Sequence, residues 1–317
     1  MNKLKFIDLF AGIGGIRLGF QDKNTECVFS SEWDKFSQKT YEANFGEIPH
    51  GDITQIEAKD IPQHDILLAG FPCQPFSKIG KREGFKNATQ GTLFFDVVRI
   101  LDYHKPSAFL LENVTGILSD DGGKTIQVIM GALDELGYDA SYEILNSAAF
   151  GLAQNRRRVI FVGFLKELNV DFQYPVGSEK KVPISDILEF GVEGYGISEH
   201  LQQAYLFKKD DGKPQVVDRN STVQANTLVA SYHKIQRITG TFVKDGSTGL
   251  RLLSKNECLK LQGFPLDFII PVSRTQMYRQ LGNSVSIPVV KAVADEMKKI
   301  LREKMKECEN QQLALQI

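Results

Sequence analysis

The chain has 317 residues, a formal charge of −1 and four scattered cysteines, with 42% hydrophobic and 24% charged residues. That length buries a sizeable core and leaves room for a second, smaller unit. The near-zero charge argues against bulk electrostatic binding to nucleic acid. No apolar run reaches the roughly 18 residues of a membrane span, and no basic–apolar–small leader opens the sequence. Cysteines 27, 73, 258 and 308 form no C-x-x-C, so neither a disulfide framework nor a zinc site is expected, and a reducing intracellular setting is.

In chain order, Leu4 to Leu9 predicts a first strand. Phe10-Ala11-Gly12-Ile13-Gly14-Gly15 follows, and then a helical pattern through Ile16, Leu18, Gly19 and Phe20. Strand, glycine turn and helix bring backbone N–H groups against a nucleotide-like ligand. The dinucleotide fingerprint is broken, because its third glycine position holds Arg17. Glu32 ends a second strand, Cys27 to Ser31, where a carboxylate can accept hydrogen bonds from ribose hydroxyls. Trp33, the single tryptophan, is placed to stack on an adenine or to fill a core, and Asp52 offers another carboxylate suited to an exocyclic amine. A nucleoside-bearing cofactor fits this set, and a phosphate-rich one does not, since no G-x-x-x-x-G-K-[ST] occurs.

A short buried strand, Asp65 to Ala69, runs into Gly70-Phe71-Pro72-Cys73-Gln74-Pro75-Phe76-Ser77. Prolines on both sides fix φ around Cys73 and set its thiol on a stiff turn beyond a strand end. A free cysteine is more often a small buried hydrophobe, so the nucleophile reading needs support from elsewhere. Residues 78–91 are polar, basic and glycine-punctuated, with the composition of a closing loop or of an ordinary surface loop. A helix over 92–103 and a buried strand over 107–111 lead to Glu112-Asn113-Val114. A carboxyl ending an apolar strand is costly to ionise and can carry a proton at neutral pH. A helix near 123–137 and a strand near 139–146 come next. Arg156, Arg157 and Arg158 then enter a strand, so alternation puts 156 and 158 on one face and 157 on the other.

Past Tyr174 the βα pattern gives way to short β-like runs at 215–217, 222–224, 240–243 and 250–253. Eight Lys/Arg face three Asp/Glu between Lys213 and Lys260, and Lys78, Lys81, Arg82 and Lys86 follow the cysteine turn, so basic surface is expected locally. Ser254 to Gly263 reads as a helix with Ser254 and Glu257 as a capping box. Gln280 to Val285 reads as the opening of a long C-terminal helix with apolar positions 289, 290, 293, 297, 300 and 301, frayed beyond Glu307.

A thiol, a protonatable carboxyl, two arginines and a nucleoside-binding turn suit methylation of cytosine at carbon 5. That carbon becomes nucleophilic only after a thiolate adds to C6. With motifs Phe6 to Gly15, Gly70 to Ser77, Glu112 to Val114, Gln154 to Arg158 and Gly282 to Val285 in this order, the sequence closely resembles the bacterial C5-cytosine DNA methyltransferases over 4–174 and 250–295. The resemblance implies an α/β fold, with a Rossmann-like S-adenosylmethionine-dependent methyltransferase sheet carrying helices on both faces. It further implies a discontinuous catalytic domain, 1–178 with 274–317, and a small irregular β-rich target-recognition domain, 179–273. It makes Cys73 the nucleophile and Glu112 the N3 partner, with Arg156 and Arg158 holding the base and its charge. S-adenosylmethionine would lie against Phe10, Gly12, Gly14, Glu32, Trp33, Asp52, Ile53, Pro72, Leu93, Asn283 and Ser284, leaving S-adenosylhomocysteine as product, and no metal is required.

For DNA, the resemblance points to Gln74, Ser77 and the loop carrying Lys81 and Arg82, and to Thr227-Leu228 as a short threonine–leucine signature. Asn226, Ser231, His233, Gln236 and Arg237 are candidate base readers. The expected partner is duplex DNA, whose target cytosine must be extruded. The expected setting is the bacterial cytoplasm, with the protein a monomer on the nucleoid, either solitary or beside a cognate restriction endonuclease. Two other readings stay open. One is a methyltransferase of this fold acting on tRNA, disfavoured because Phe-Pro-Cys replaces the Pro-Pro-Cys turn of that branch. The other is a non-catalytic DNA-binding relative.

Overall fold

The structure, a computed structural model, describes residues 3–72 and 93–314, with 308–314 by backbone alone. Its centre is a six-stranded sheet in the order β2-β1-β3-β4-β6-β5. These strands are β1 (Leu4–Leu9), β2 (Thr25–Ser31), β3 (Ile66–Ala69), β4 (Ala108–Val114), β5 (Tyr138–Asn146) and β6 (Arg157–Leu165). β2, β1, β3 and β4 run parallel, whereas β6 is antiparallel to both β4 and β5.

Alternation along each strand sorts side chains into two layers. Ile7, Leu9, Leu67, Phe109, Leu111 and Phe161 face one side, against α3 (Phe94–His104) and α4 (Lys124–Glu135). Phe6, Leu68, Leu110, Ile160 and Val162 face the other, against α1 (Gly15–Phe20) and the long C-terminal helix. A further helix, α2 (Lys35–Phe45), is capped by Asp34, whose side chain accepts the Ser37 N–H.

Residues 179–253 contain little regular structure. Strands β7 (Gln215–Val217) and β8 (Thr241–Val243) pair in parallel, and α5 (Glu199–Leu201) is a single turn. Of the four short runs expected to be β-like, Thr222–Gln224 and Leu250–Leu253 are not strands; Arg251 makes only isolated bridges, to Gly196 and to Val243. The expected capping box is present at the start of α6 (Lys255–Gln262).

The C-terminal reading needs one correction. Gln280 to Asn283 close a separate helix, α7 (Arg274–Asn283), and do not open the long one. Ser284 is extended, with ψ 165, so the chain turns before α8 (Ile287–Ala314), where Pro288 fits the first turn. α8 stays helical past Glu307, where fraying was expected. Met277, Tyr278 and Leu281 of α7 share a core with Phe242, Leu253 and Cys258.

Candidate active site

The sense of each strand decides what meets at the carboxyl edge of the sheet. β1, β2, β3 and β4 end there, and antiparallel β6 begins there. The glycine turn after β1, Glu32 after β2, Gly70 to Pro72 after β3, Glu112 near the end of β4 and Arg158 at the start of β6 therefore converge. They line one cavity of about 870 Å³, a size suited to a nucleoside-sized ligand with room for a second group.

At one end stand Phe10, Gly12, Glu32, Trp33, Asp52 and Ile53. Glu32 is buried, and each of its carboxylate oxygens accepts a backbone N–H, Oε2 from Gly12 at 2.7 Å and Oε1 from Asp34 at 2.8 Å. Burial pushes this carboxyl upward, and those two hydrogen bonds oppose the shift. The side chain is thereby fixed, with lone pairs left for a ligand. Trp33 is 76% exposed, so its indole serves the cavity mouth and not the core. Asp52 accepts the Thr54 N–H at 3.0 Å and lines the cavity beside Ile53. Pro72, Leu93, Asn283 and Ser284 also line it. Gly14, expected beside these residues, does not itself line the cavity. Its φ of 84° makes the left-handed cap of α1, and a Cβ there would lie 2.2 Å from the Phe45 ring.

At the other end, Arg158 Nε forms an ion pair with Glu112 Oε1 at 3.0 Å. Register explains the pair: Glu112 lies opposite Ile160 and Arg158 opposite Val114, so the two are diagonal neighbours on one face. Desolvation raises the proton affinity of Glu112, opposed by the charges of Arg158 and Arg156. As alternation requires, Arg156 and Arg158 line the cavity and Arg157 is exposed on the other side.

Arg156, expected to hold the base, lines the cavity and has a buried Nε with no hydrogen-bond partner. It is 2% exposed and donates to the carbonyls of Leu228 (2.9 Å), Gly282 (3.1 Å) and Ser284. Its task is to tie the 228 segment and the end of α7 to the start of β6. Cys73, Gln74, Ser77, Lys81 and Arg82 lie outside the described residues, whereas Pro72, which precedes Cys73, lines the cavity.

Sequence reasoning missed the residues that hold the segment after β3 and the 227–228 segment in place. Asn113, buried between Glu112 and Val114, donates its amide to the Phe71 carbonyl at 2.9 Å, and the Phe71 ring packs on Phe94. The buried Gln154 donates to the Leu261 carbonyl and accepts the Leu228 N–H at 2.6 Å. Thr227 donates its hydroxyl to the Asn155 carbonyl at 2.6 Å. The threonine–leucine segment is thus strung onto the residues leading into β6.

Two residues expected to contact DNA lie inside the protein. The Leu228 side chain is buried in the core. Arg237 is buried, with its donors spent on Leu206 O, Lys209 O and Asp211. His233, Gln236, Asn226 and Ser231 are half-buried, and the Asn226 amide nitrogen has no hydrogen-bond partner. Among the described residues no cluster suits a metal ion, and no helix is long and apolar enough to cross a membrane.

A model of the C-5 cytosine-specific DNA methylase family matches residues 4–299. Type II methyltransferase M.BsuFI of Bacillus subtilis is 62% identical over 301 residues, covering 94% of this chain and 73% of that protein. Type II methyltransferase M.MspI of Moraxella sp. is 55% identical over 298 residues, covering 94% and 71%. Among solved structures, the S. pombe Dnmt2 methyltransferase superposes with a TM-score of 0.76 at 20% identity, covering 94% of this chain and 99% of that one. A DNMT2 mutant from Spodoptera frugiperda gives 0.75 at 21% over the same shares. At such identities the likeness speaks for the fold alone.

Proposed function

The chain belongs to the C-5 cytosine-specific DNA methylase family, and from that premise we propose how its own residues methylate a cytosine in duplex DNA. It is a DNA (cytosine-5-)-methyltransferase. When bound, S-adenosylmethionine supplies the electrophilic methyl group. The residues present fit that group: Glu32, locked by two backbone N–H groups, takes the ribose hydroxyls, while Trp33 and Phe10 flank the base and Asp52 takes its amine.

The target cytosine is extruded into the space beside Glu112, at a cost of a few kcal/mol that contacts to the DNA must offset. Cys73 attacks as thiolate and forms a bond to C6. Glu112 carries a proton to N3, so that negative charge does not build up on the ring and C5 becomes enamine-like. Arg158 holds Glu112 in place. After C5 has been methylated, a water molecule takes its proton, the sulfur leaves as thiolate and N3 returns its proton to Glu112, which restores the aromatic ring. Arg156 acts by positioning the surrounding segments. Gln74, Ser77, Lys81 and Arg82 follow DNA phosphates, and Thr227 with Asn226, Ser231, His233 and Gln236 supplies contacts from the recognition region, 179–273.

The observation that carries this reading is the buried Glu112–Arg158 pair in a cavity that is also lined by Pro72, the neighbour of Cys73. The test is transfer of radiolabelled methyl from S-adenosylmethionine to duplex DNA and, in parallel, to tRNA. Incorporation into DNA, abolished by Cys73→Ser, is expected. Label in tRNA alone, or DNA affinity without turnover, defeats the proposal. Methylome sequencing after expression in an unmethylated host then gives the short site, as expected for a relative of Type II enzymes.

A further inference from the structure

Besides the main cavity, a second space of about 10 Å³ is bounded by Glu112, Arg156 and Arg158. Leu145 of β5, Ile160 of β6, and Val289 and Val290 in the first turn of α8 close it, and none of these four lines the main cavity. All four are buried in the core layer that α8 shares with the sheet. Strand register sets two of them against the ion pair. Arg158 lies opposite Leu145 on one side and Val114 on the other, and Glu112 lies opposite Ile160. From β3 and α1 come Gly70 and Ile16: a Cβ on Gly70 would stand 3.8 Å from Glu112 Oε2 and 3.3 Å from Ile16 Cδ1.

A space of this size is at the limit for one water, which would need two to four polar partners. The polar groups around it are already engaged. Arg158 pairs with Glu112, Ser286 donates to Gln262, and the end nitrogens of Arg156 hold three carbonyls. Among the described residues, the charged groups facing Glu112 are Arg158 and Arg156, both from the chain entering β6. To this space β5 brings Leu145, and α8 with its lead-in brings three valines and the Ser286 hydroxyl. A carboxyl walled by hydrocarbon resists ionisation, because its charged form loses hydration. The two arginines pull the other way, so the proton stays only while the wall is dry.

We propose that Leu145, Ile160, Val289 and Val290 form a dry wall that keeps the proton on Glu112, acting on the reaction through that carboxyl without touching the base. This rests on the reading of Glu112 as the carrier of a proton to N3. It gives β5 and the returning C-terminal helix, which hold no catalytic group on that reading, a part in the chemical step.

Single-turnover methyl transfer followed as a function of pH tests it. Glu112 has to be protonated, so the rate holds below its pKa and falls as pH rises through it. Val289→Thr and Leu145→Asn nearly keep the side-chain shape and put a polar atom into the wall. Each is expected to move the alkaline fall down by about one pH unit, a roughly tenfold lower rate on the alkaline side. The rate on the acid side and the affinity for S-adenosylhomocysteine are expected to stay. Val293→Thr is the control, since Val293 is buried on the same helix but bounds neither space. It is expected to lower the melting temperature as Val289→Thr does and to leave the alkaline fall in place. An unmoved fall in both wall variants, or an equal shift in Val293→Thr, overturns the wall. An alkaline fall that persists unchanged in Glu112→Gln belongs to another group and defeats the Glu112 reading, and the wall with it.

Discussion

The carboxyl edge of the sheet and the region 179–253 use charged side chains in opposite ways. At the edge, backbone hydrogen bonds are met by the strand ladders, so Glu112 and Arg158 can pair with each other and still line the cavity. In 179–253 only β7, β8 and a few turns supply ladders, and side chains must satisfy the backbone instead. Gln202 donates to Ile197 O and Thr248 O, and Gln224 donates to Val182 O. Arg237 donates to Leu206 O and Lys209 O. Arg251, fully buried, is held by Asp245, Glu257 and the Glu189 carbonyl. Arginine that composition assigns to nucleic acid is here consumed as internal scaffold.

Four substitutions break or sharpen that contrast. The largest effect is expected at the edge, where Glu112→Gln removes the proton carrier and lowers kcat by about 10²–10⁴. Steady-state methyl transfer reads it, and melting near the wild-type temperature separates chemistry from folding. In the irregular region Arg251→Met leaves Glu257 buried and uncompensated, with an expected cost of about 3–5 kcal/mol. Urea unfolding reads that loss, and Arg251→Met with Glu257→Gln, which removes the stranded charge and keeps an acceptor for the cap of α6, is expected to recover part of it.

Asp8 on β1 gives the third. Both of its carboxylate oxygens are buried without a hydrogen-bond partner. Burial pushes its carboxyl from 3.8 up to about 7, with Arg17 opposing and Glu32 and Glu47 adding. The native state therefore binds the proton more tightly than the unfolded chain. Its contribution is fully present below about pH 4 and is lost as pH rises through about 7. Asp8→Asn is expected to flatten this decline and to gain on the wild type by a few kcal/mol at pH 8 relative to pH 5. Urea midpoints at the two pH values check it, and parallel slopes for both proteins count against it. The smallest effect is expected from Arg237→Gln, which leaves the salt dependence of duplex-DNA affinity unchanged. A slope reduced by about one unit would return Arg237 to the DNA surface.

Much of the sheet was legible because its signals are local. The apolar runs at 4–9, 66–69 and 108–111, the glycine turn and the Ser254–Glu257 capping box each depend on residues a few positions apart. The positions of Glu32 and Glu112 follow from strand ends alone, and the separation of Arg156 and Arg158 from Arg157 follows from alternation.

Tertiary structure decided the rest, because those outcomes depend on partners far away in the chain. The antiparallel sense of β6 brings Arg158 to the edge where Glu112 waits, and no local pattern distinguishes it from a parallel strand. Ser284 breaks what reads as one helix, where Arg156, 128 residues earlier, holds the carbonyls of Gly282 and Ser284. Whether an arginine reaches solvent, a carbonyl or a carboxylate depends on which backbone groups lack a ladder, and that is settled only when the chain has packed.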